Sequence, residues 1–327
     1  MTTIKESGVV RIKRQGPPSV LEFTTEIVGQ PAHNQVLIRQ ESIGLNYVDT
    51  MFRSGVFPLS TLPATIGVEA AGVVEAVGLQ VQDFKVGDHV AYYFSLGAYA
   101  ERRLINAREI VKVPSDISFD HAASLMAKGL TARMLIKQAY PVKEGDTVLV
   151  HAAAGGVGSL ISALAKSKGA TVIGTVGNVF KKEIALKAGL DHVIATDTED
   201  FPSAVRSITN GKGVNVVYDG VGASTFDQSI DLILPGGSII LYGASSGAPQ
   251  INQTTLQKLG ISFLRPSLGN YLPDRPYLEL ATAEVFSALR AGVFGDLKPT
   301  VYSLADAEKA HSDLESRKTT GPVVFHP

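Results

Sequence analysis

Alternating and β-branched apolar runs dominate the first third of the chain. VVRI (9–12), QVLIRQESIG (35–44), AAGVVEAVG (70–78) and DHVAYY (88–93) are each bounded by Gly, Pro, Asn or Asp, a pattern that predicts short strands closing into a barrel or sandwich. The period then changes. PSDISFDHAASLMAKGLTARMLIKQAY (114–140) is rich in Ala, Leu and Met, and Ser118 or Asp120 is placed to cap a helix. A domain change is expected inside this region.

From Asp146 the order becomes strand, glycine turn, helix, strand. TVLVHAAAGGVGSLISALAKSKGATVIGTV (147–176) makes one βαβ unit. Strand-like segments follow at 192–196, 214–220, 237–243 and 261–266, with helical candidates at 180–189, 200–209 and 223–233 between them. This spacing predicts a parallel sheet covered on both faces. Residues 275–291 and 304–317 read as amphipathic helices, and PVVFHP near the end as a strand that returns to the first domain.

Composition narrows the chemistry. At 327 residues, 45% hydrophobic and 19% charged, the chain is expected to be a soluble globular protein of two domains. Thirty basic residues against 31 acidic ones give no overall attraction to nucleic acid or anionic membrane. There is no cysteine, which excludes disulfides, thiolate zinc sites, iron–sulfur clusters and a cysteine nucleophile and fits a reducing cytoplasm. The start MTTIKESGVVRIKR lacks an apolar core with a cleavage signal, and no run approaches 18 apolar residues, so secretion and membrane spanning are not expected.

Two places carry candidate chemistry. HAAAGGVG (151–158) lies between an apolar strand and a helix: Gly155 and Gly156 permit the turn, Gly158 permits close helix–strand approach, and the helix start directs N–H groups at a diphosphate. The strict GxGxxG spacing is not met, so a tight structural turn is the alternative. Past the second strand, TVIGTVGNVFKK (171–182) has no diol-binding acid; Gly177 leaves space and Lys181 and Lys182 supply positive charge. That combination suits a 2′-phosphate and hence NADPH, or else is a solvated surface pair.

The second place is GLNYVDT (44–50) with GVEAAG (67–72), which groups Asn46, Asp49 and Glu69. Seven histidines show no metal-ligand spacing. The two acids are either a general acid/base pair or buried orienting groups bonded to backbone amides or to Arg53.

Taken with RSGVFP (53–58), LPATIGVEAAGVVEAVG (62–78), VGDHVAY (86–92), GAYAE (97–101), KGLTA (128–132), LKAGLDHVI (186–194), VYDGVG (217–222), YGASSG (242–247), RPSL (265–268) and LESR (314–317), these motifs give a resemblance over essentially the whole chain. The chain resembles the zinc-free quinone oxidoreductases, the zeta-crystallin-like group of the medium-chain dehydrogenase/reductase superfamily. The resemblance implies an α/β fold: a GroES-like β-barrel catalytic domain (1–125, with 267–327 returning to it) plus a Rossmann dinucleotide-binding domain (126–266), with NADPH in the cleft. In zinc-dependent relatives a cysteine stands at Asn46 and a histidine at Val68, so no metal is expected.

By the same resemblance Asn46, Lys128 and Thr131 touch the cofactor; Asn46 and Thr131 are candidates for the catalytic side, with Tyr47 beside them as the nearest hydroxyl. Gly155, Gly156 and Val157 meet the diphosphate; Gly177, Lys181 and Thr196 meet the adenosine phosphate end. Tyr242, Gly243, Ser245 and Ser246 line the dinucleotide, Phe263, Arg265 and Pro266 reach toward the nicotinamide, and Arg317 reaches back to the cofactor. Two family tyrosines are replaced, by Met51 and Thr196. Phe57, Tyr92 and Tyr93 are either a substrate wall or core.

The implied activity is metal-independent hydride transfer from NADPH to a quinone. The alternatives are a 2-alkenal or enoyl reductase and a nucleotide-responsive single-stranded nucleic-acid-binding protein, the latter without the basic, aromatic-interleaved stripe it needs. A homodimer formed through sheet edges near 237–266 and a cytoplasmic location complete the expectation.

Overall fold

The computed structural model describes residues 5–327, Lys187 by its backbone alone, so the first four positions of the expected barrel segment lie outside the described residues. The chain divides into two units, residues 1–127 with 297–327 and residues 128–296.

In the first unit the leading strands are β1 (Lys5–Ile12), β2 (Leu21–Val28), β3 (Gln35–Leu45), β4 (Ala64–Thr65), β5 (Glu69–Val77), β6 (His89–Tyr93), β7 (Arg102–Asn106) and β8 (Ile110–Lys112). β2, β4, β7 and β8 are additional to the sequence expectation. Helix α1 (Tyr47–Ser54) follows β3 directly, and α2 (Phe119–Met134) follows β8 and carries the boundary between the units. The Ser118 hydroxyl accepts the His121 N–H at 3.2 Å, which starts α2 and contributes about 1 kcal/mol.

The second unit holds β9 (Thr147–Val150), α3 (Gly156–Ser167), β10 (Thr171–Val176), α4 (Val179–Lys187), β11 (His192–Ala195), α5 (Phe201–Ile208), β12 (Val214–Asp219), α6 (Phe226–Ile230), β13 (Ile233–Leu241), α7 (Gln253–Lys258), β14 (Ser262–Leu264), α8 (Leu268–Tyr271) and α9 (Arg275–Arg290). The chain then re-enters the first unit through β15 (Thr300–Ser303), α10 (Ala307–Glu315) and β16 (Val323–His326).

The eleven-residue β3 organises the first unit: it pairs antiparallel with β5, β7 and β16. The full order is β15-β16-β3-β5-β6-β8 with β7 also on β3, beside a smaller sheet β2-β1-β4. Val10, Ile12, Ile38, Val74, Tyr92, Tyr99 and Phe325 fill one core between them. Tyr92 is fully buried there, so it is core and not a substrate wall, whereas Phe57 stays exposed.

In the second unit the six strands are parallel in the order β11-β10-β9-β12-β13-β14. The direction of winding reverses between β9 and β12, the Rossmann arrangement, in which ligands bind beyond the carboxyl ends of the strands. The return to the barrel comes later than residue 267. Glu284 of α9 accepts from Arg133 Nε at 2.6 Å and from Lys137 Nζ at 2.7 Å, tying α9 to the Rossmann unit, and the chain leaves at 297. Among the described residues no helix is long and apolar enough to cross a membrane.

Candidate active site

The segment GLNYVDT is a strand end followed by a helix start. Asn46 has extended backbone angles at the N-cap of α1, and Asp49, three residues on, accepts the Asn46 backbone N–H on Oδ2 at 2.9 Å. The Asn46 side chain is held separately. Its Nδ2 donates to Glu69 Oε2 at 2.8 Å and to the Gly44 carbonyl at 3.4 Å. Glu69 accepts here, so the amide is oriented with Nδ2 toward it and Oδ1 on the side of the α1 capping box. The other Glu69 oxygen accepts the Ala127 N–H of α2 at 2.5 Å.

This packing needs glycine at 44. A Cβ there would fall 2.3 Å from Glu69 Oε2 and 2.5 Å from the Ala123 carbonyl. Asp49 and Glu69 are fully buried, and both bond to backbone N–H groups. They therefore act as orienting acceptors and not as an acid/base pair. Tyr47, first residue of α1, is 39% exposed beside them. The three candidates Asn46, Asp49 and Glu69 are thus one hydrogen-bonded unit. Among the described residues no group of three or more His, Cys, Asp or Glu side chains could hold a metal ion.

Sequence reasoning missed what lies behind Asp49. Tyr99 Oη donates to Asp49 Oδ2 at 3.1 Å and lies 2.8 Å from His311 Nε2; His311 Nδ1 is 3.3 Å from Arg53 Nη1. Arg53 also forms a two-pronged pair with Glu315 at 2.9 and 2.7 Å. Burial, helped by the Arg53 charge, lowers the His311 pKa to about 3, so the ring is neutral at ordinary pH. Burial and the Asp49 carboxylate raise Tyr99 well above the usual phenol range, which keeps it a donor. The available signal was Asp49 and Arg53 at helical i, i+4 spacing; the partners 50 and more residues away had none.

In the Rossmann unit the candidates gather at the carboxyl ends of the strands. Gly155 caps α3 without a side-chain bond, so the first-turn N–H groups of Gly156 and Val157 are not taken up by a cap. Gly158 must lack a side chain, since its Cβ would meet the Ala152 carbonyl at 2.3 Å. Behind the turn, His151 is buried between the hydroxyls of Thr175 at 2.9 Å and Ser229 at 2.8 Å, and burial lowers its pKa.

Gly177 follows β10 with open space where a Cβ would stand. The Asn178 side chain accepts the Lys181 N–H at 3.1 Å, which begins α4. Lys182 pairs with Glu199 at 2.8 Å, so its charge is already met. Thr196 donates to the Val176 carbonyl at 3.2 Å.

The next two loops brace one another. Asp219 Oδ1 accepts from Val221 N at 2.7 Å and Gly222 N at 3.0 Å, while the Ser246 N–H and hydroxyl both donate to the Val221 carbonyl at 2.8 Å. Ser245 N–H donates to the Gly220 carbonyl at 3.3 Å, and Tyr242 N–H to the Asp219 carbonyl at 2.9 Å. Tyr242, Gly243, Ser245 and Ser246 therefore form one shelf. Burial raises the Tyr242 phenol, whose ring lies where a Gly220 side chain would be.

The Phe263 ring packs edge-on against Phe226 at 5.8 Å in the core, with Arg265 and Pro266 just beyond β14. Lys128 and Thr131 sit one turn apart on α2, Lys128 buried. Arg317 follows α10 in the barrel unit with φ of 59°, exposed. The structure thus groups Asn46 and Tyr47 in one unit and the glycine-turn, Gly177 and Tyr242 loops in the other.

A barrel with a helix capped by its asparagine, joined in sequence to a Rossmann sheet, is the architecture of the medium-chain dehydrogenases. Two family models agree: residues 32–115 match the alcohol dehydrogenase GroES-like domain and residues 156–283 match the zinc-binding dehydrogenase family. The chain is 40% identical over 326 residues to the 2-haloacrylate reductase of a Burkholderia species, covering 97% of this chain and 98% of that one. It is also 40% identical to quinone oxidoreductase 1 of Escherichia coli K12, over 97% of this chain and 99% of the relative. The crystal structure of Escherichia coli quinone oxidoreductase complexed with NADPH superposes with a TM-score of 0.94 at 39% identity, covering 98% and 100% of the two chains. The protein belongs to the quinone oxidoreductase family of the medium-chain dehydrogenase/reductase superfamily.

Proposed function

We propose that this protein is an NADPH:quinone oxidoreductase that works without a metal ion. The observation that carries the reading is the fixed Asn46 amide. At the position where zinc-dependent relatives hold a metal ligand, this chain has a side chain whose Nδ2 is bonded to Glu69 and Gly44. Its Oδ1, which faces the α1 capping box, keeps a second lone pair that can accept a hydrogen bond but cannot donate one. Asn46 is therefore suited to hold the carboxamide N–H of a nicotinamide and unsuited to stabilise a developing oxyanion.

The bound cofactor supplies the hydride; one quinone, one NADPH and one proton give one hydroquinone and NADP+. The chain contributes alignment, exclusion of water and hydrogen bonding. The uncapped first turn of α3, at Gly156 and Val157, receives the diphosphate, with the Tyr242–Ser246 shelf beside it. Gly177 and Lys181 receive the 2′-phosphate, with Thr196 at the same strand ends and the Lys182–Glu199 pair beside them. Lys128, Thr131, Phe263, Arg265, Pro266 and Arg317 complete the contacts, Phe263 through its backbone because its ring is packed in the core. The exposed Tyr47 hydroxyl is the donor nearest Asn46 for the oxygen that gains charge, with water as the proton source.

A second reading, reduction of a conjugated double bond, is favoured by the equal similarity to a 2-haloacrylate reductase. Stopped-flow oxidation of NADPH with para-quinones, ortho-quinones, 2-alkenals and 2-haloacrylate separates the two. The quinone reading expects a quinone to give the largest kcat/KM; hydride accepted by the alkenes alone would replace it with the second. The short edge strand β14, bonded only to β13 among the described strands, supports a homodimer joined at that edge. The absence of cysteine supports a cytoplasmic setting.

A further inference from the structure

The chain of buried groups behind Asn46 has a fixed direction. Arg53 can only donate, so His311 Nδ1 must accept from it across 3.3 Å. A neutral ring with an accepting Nδ1 carries its proton on Nε2, which then donates to the Tyr99 oxygen at 2.8 Å. The Tyr99 hydrogen is thereby directed at Asp49 Oδ2, 3.1 Å away, the same oxygen that accepts the Asn46 backbone N–H. Arg53 is itself oriented by Glu315 and by its Nε–H bond to the Gly16 carbonyl at 3.1 Å.

No link in this sequence admits a second orientation. We propose that Tyr99, His311 and Arg53 are positioning residues for the reaction. They act through Asp49 to hold the head of α1, and with it the Asn46 carboxamide, in one orientation, with Glu315 of α10 as the outer anchor.

Such an arrangement is costly unless orientation matters. Arg53, His311, Tyr99 and Asp49 are each buried to 2% exposure or less, where well-packed apolar side chains would serve stability at least as well. A network satisfied in one direction only fixes geometry, and a displacement of about 1 Å at a reacting centre costs orders of magnitude in rate.

The inference rests on the proposed role of Asn46, so the experiment separates the two. Single-turnover and steady-state rates with NADPH and a quinone are measured for Tyr99→Phe, Glu315→Gln, Asn46→Ala and the Tyr99→Phe/Asn46→Ala double variant. Nitrogen-15 NMR is recorded for the His311 ring in the wild-type protein.

The expected result is a drop of about tenfold in kcat for Tyr99→Phe with NADPH affinity within about twofold, and a double variant no slower than Asn46→Ala alone. His311 shows a pyridine-type Nδ1 and a protonated Nε2 near pH 7, and Glu315→Gln, on the rim, gives a smaller fall in kcat of the same kind.

If Asn46→Ala turns over normally, the reading of Asn46 fails. If Asn46→Ala is slow while Tyr99→Phe and Glu315→Gln are not, or the two losses multiply, only the positioning role is overturned. A His311 ring protonated on Nδ1 also overturns it, and this last readout stands even where a variant does not fold.

Discussion

The two units prepare their sites by opposite means. In the barrel, orientation comes from side chains: Asn46 is held by Glu69 and Asp49, and Asp49 by a relay that reaches α10. In the Rossmann unit it comes mainly from backbone: an uncapped helix start, a glycine that admits the Ala152 carbonyl, and two loops laced by main-chain bonds, with the Asp219 carboxylate accepting two of their N–H groups. A site made of backbone tolerates side-chain replacement except where bulk intrudes. A site made of side chains depends on residues distant in sequence.

Substitution at Gly44 should expose this difference most sharply. Gly44→Ala places a Cβ against Glu69 and the Ala123 carbonyl, one partner being backbone that cannot swing aside. Turnover should fall about 100-fold and stability by about 2 kcal/mol, while the Rossmann unit still binds NADPH. Steady-state kinetics with a calorimetric titration check both halves of that statement.

Each unit buries a histidine with a lowered pKa, His151 behind the glycine turn and His311 in the barrel network, and the barrel's gives a readable pH signature. The His311 pKa is held at about 3 against an ordinary 6.5, so its contribution to stability is fully present above about pH 6.5 and is lost progressively as pH falls toward 3. Arg53 and Tyr99 contact it directly, and Glu315 and Asp49 lie one hydrogen bond further out on those two partners. Between pH 7 and pH 4 denaturant unfolding should show His311→Gln losing about 3 kcal/mol less than the wild type. Parallel pH profiles for the two proteins would contradict the buried neutral ring.

The smaller effects belong to the nucleotide end. Lys181→Ala should weaken NADPH binding about tenfold and leave NADH unchanged, since only the 2′-phosphate is at issue. Lys182→Ala should weaken NADPH binding less than Lys181→Ala does, because part of the Lys182 charge is met by Glu199 at 2.8 Å. Dissociation constants for both nucleotides with both variants decide the assignment.

Legibility in the sequence follows the same division. The Rossmann unit was readable because its determinants are local: apolar strands, a glycine turn and helices at short spacing from Thr147 to Leu264. The barrel is readable as strands, yet LEFTTEIV at 21–28 forms β2 with Phe23 and Ile27 exposed on its outer side, so burial does not follow its apolar positions. Helix α1 was also missed, since GLNYVDT follows a strand without any intervening turn. Its signal was an Asn three residues before an Asp, a capping box, with Arg53 one turn further on.

The later return to the barrel and the Tyr99–His311–Arg53 relay were not legible at all. They depend on Glu284 finding Arg133, and on Asp49 finding Tyr99, across 151 and 50 residues. Hydrophobic period carries no information about such pairs.

Single-turnover oxidation of NADPH by a para-quinone, on protein exhaustively chelated and then given zinc, tests the central claim most directly. The account predicts a full-amplitude reaction whose rate is the same before chelation, after it, and after zinc is added. A reaction lost on chelation and restored only by zinc would contradict it, as would the absence of any oxidation.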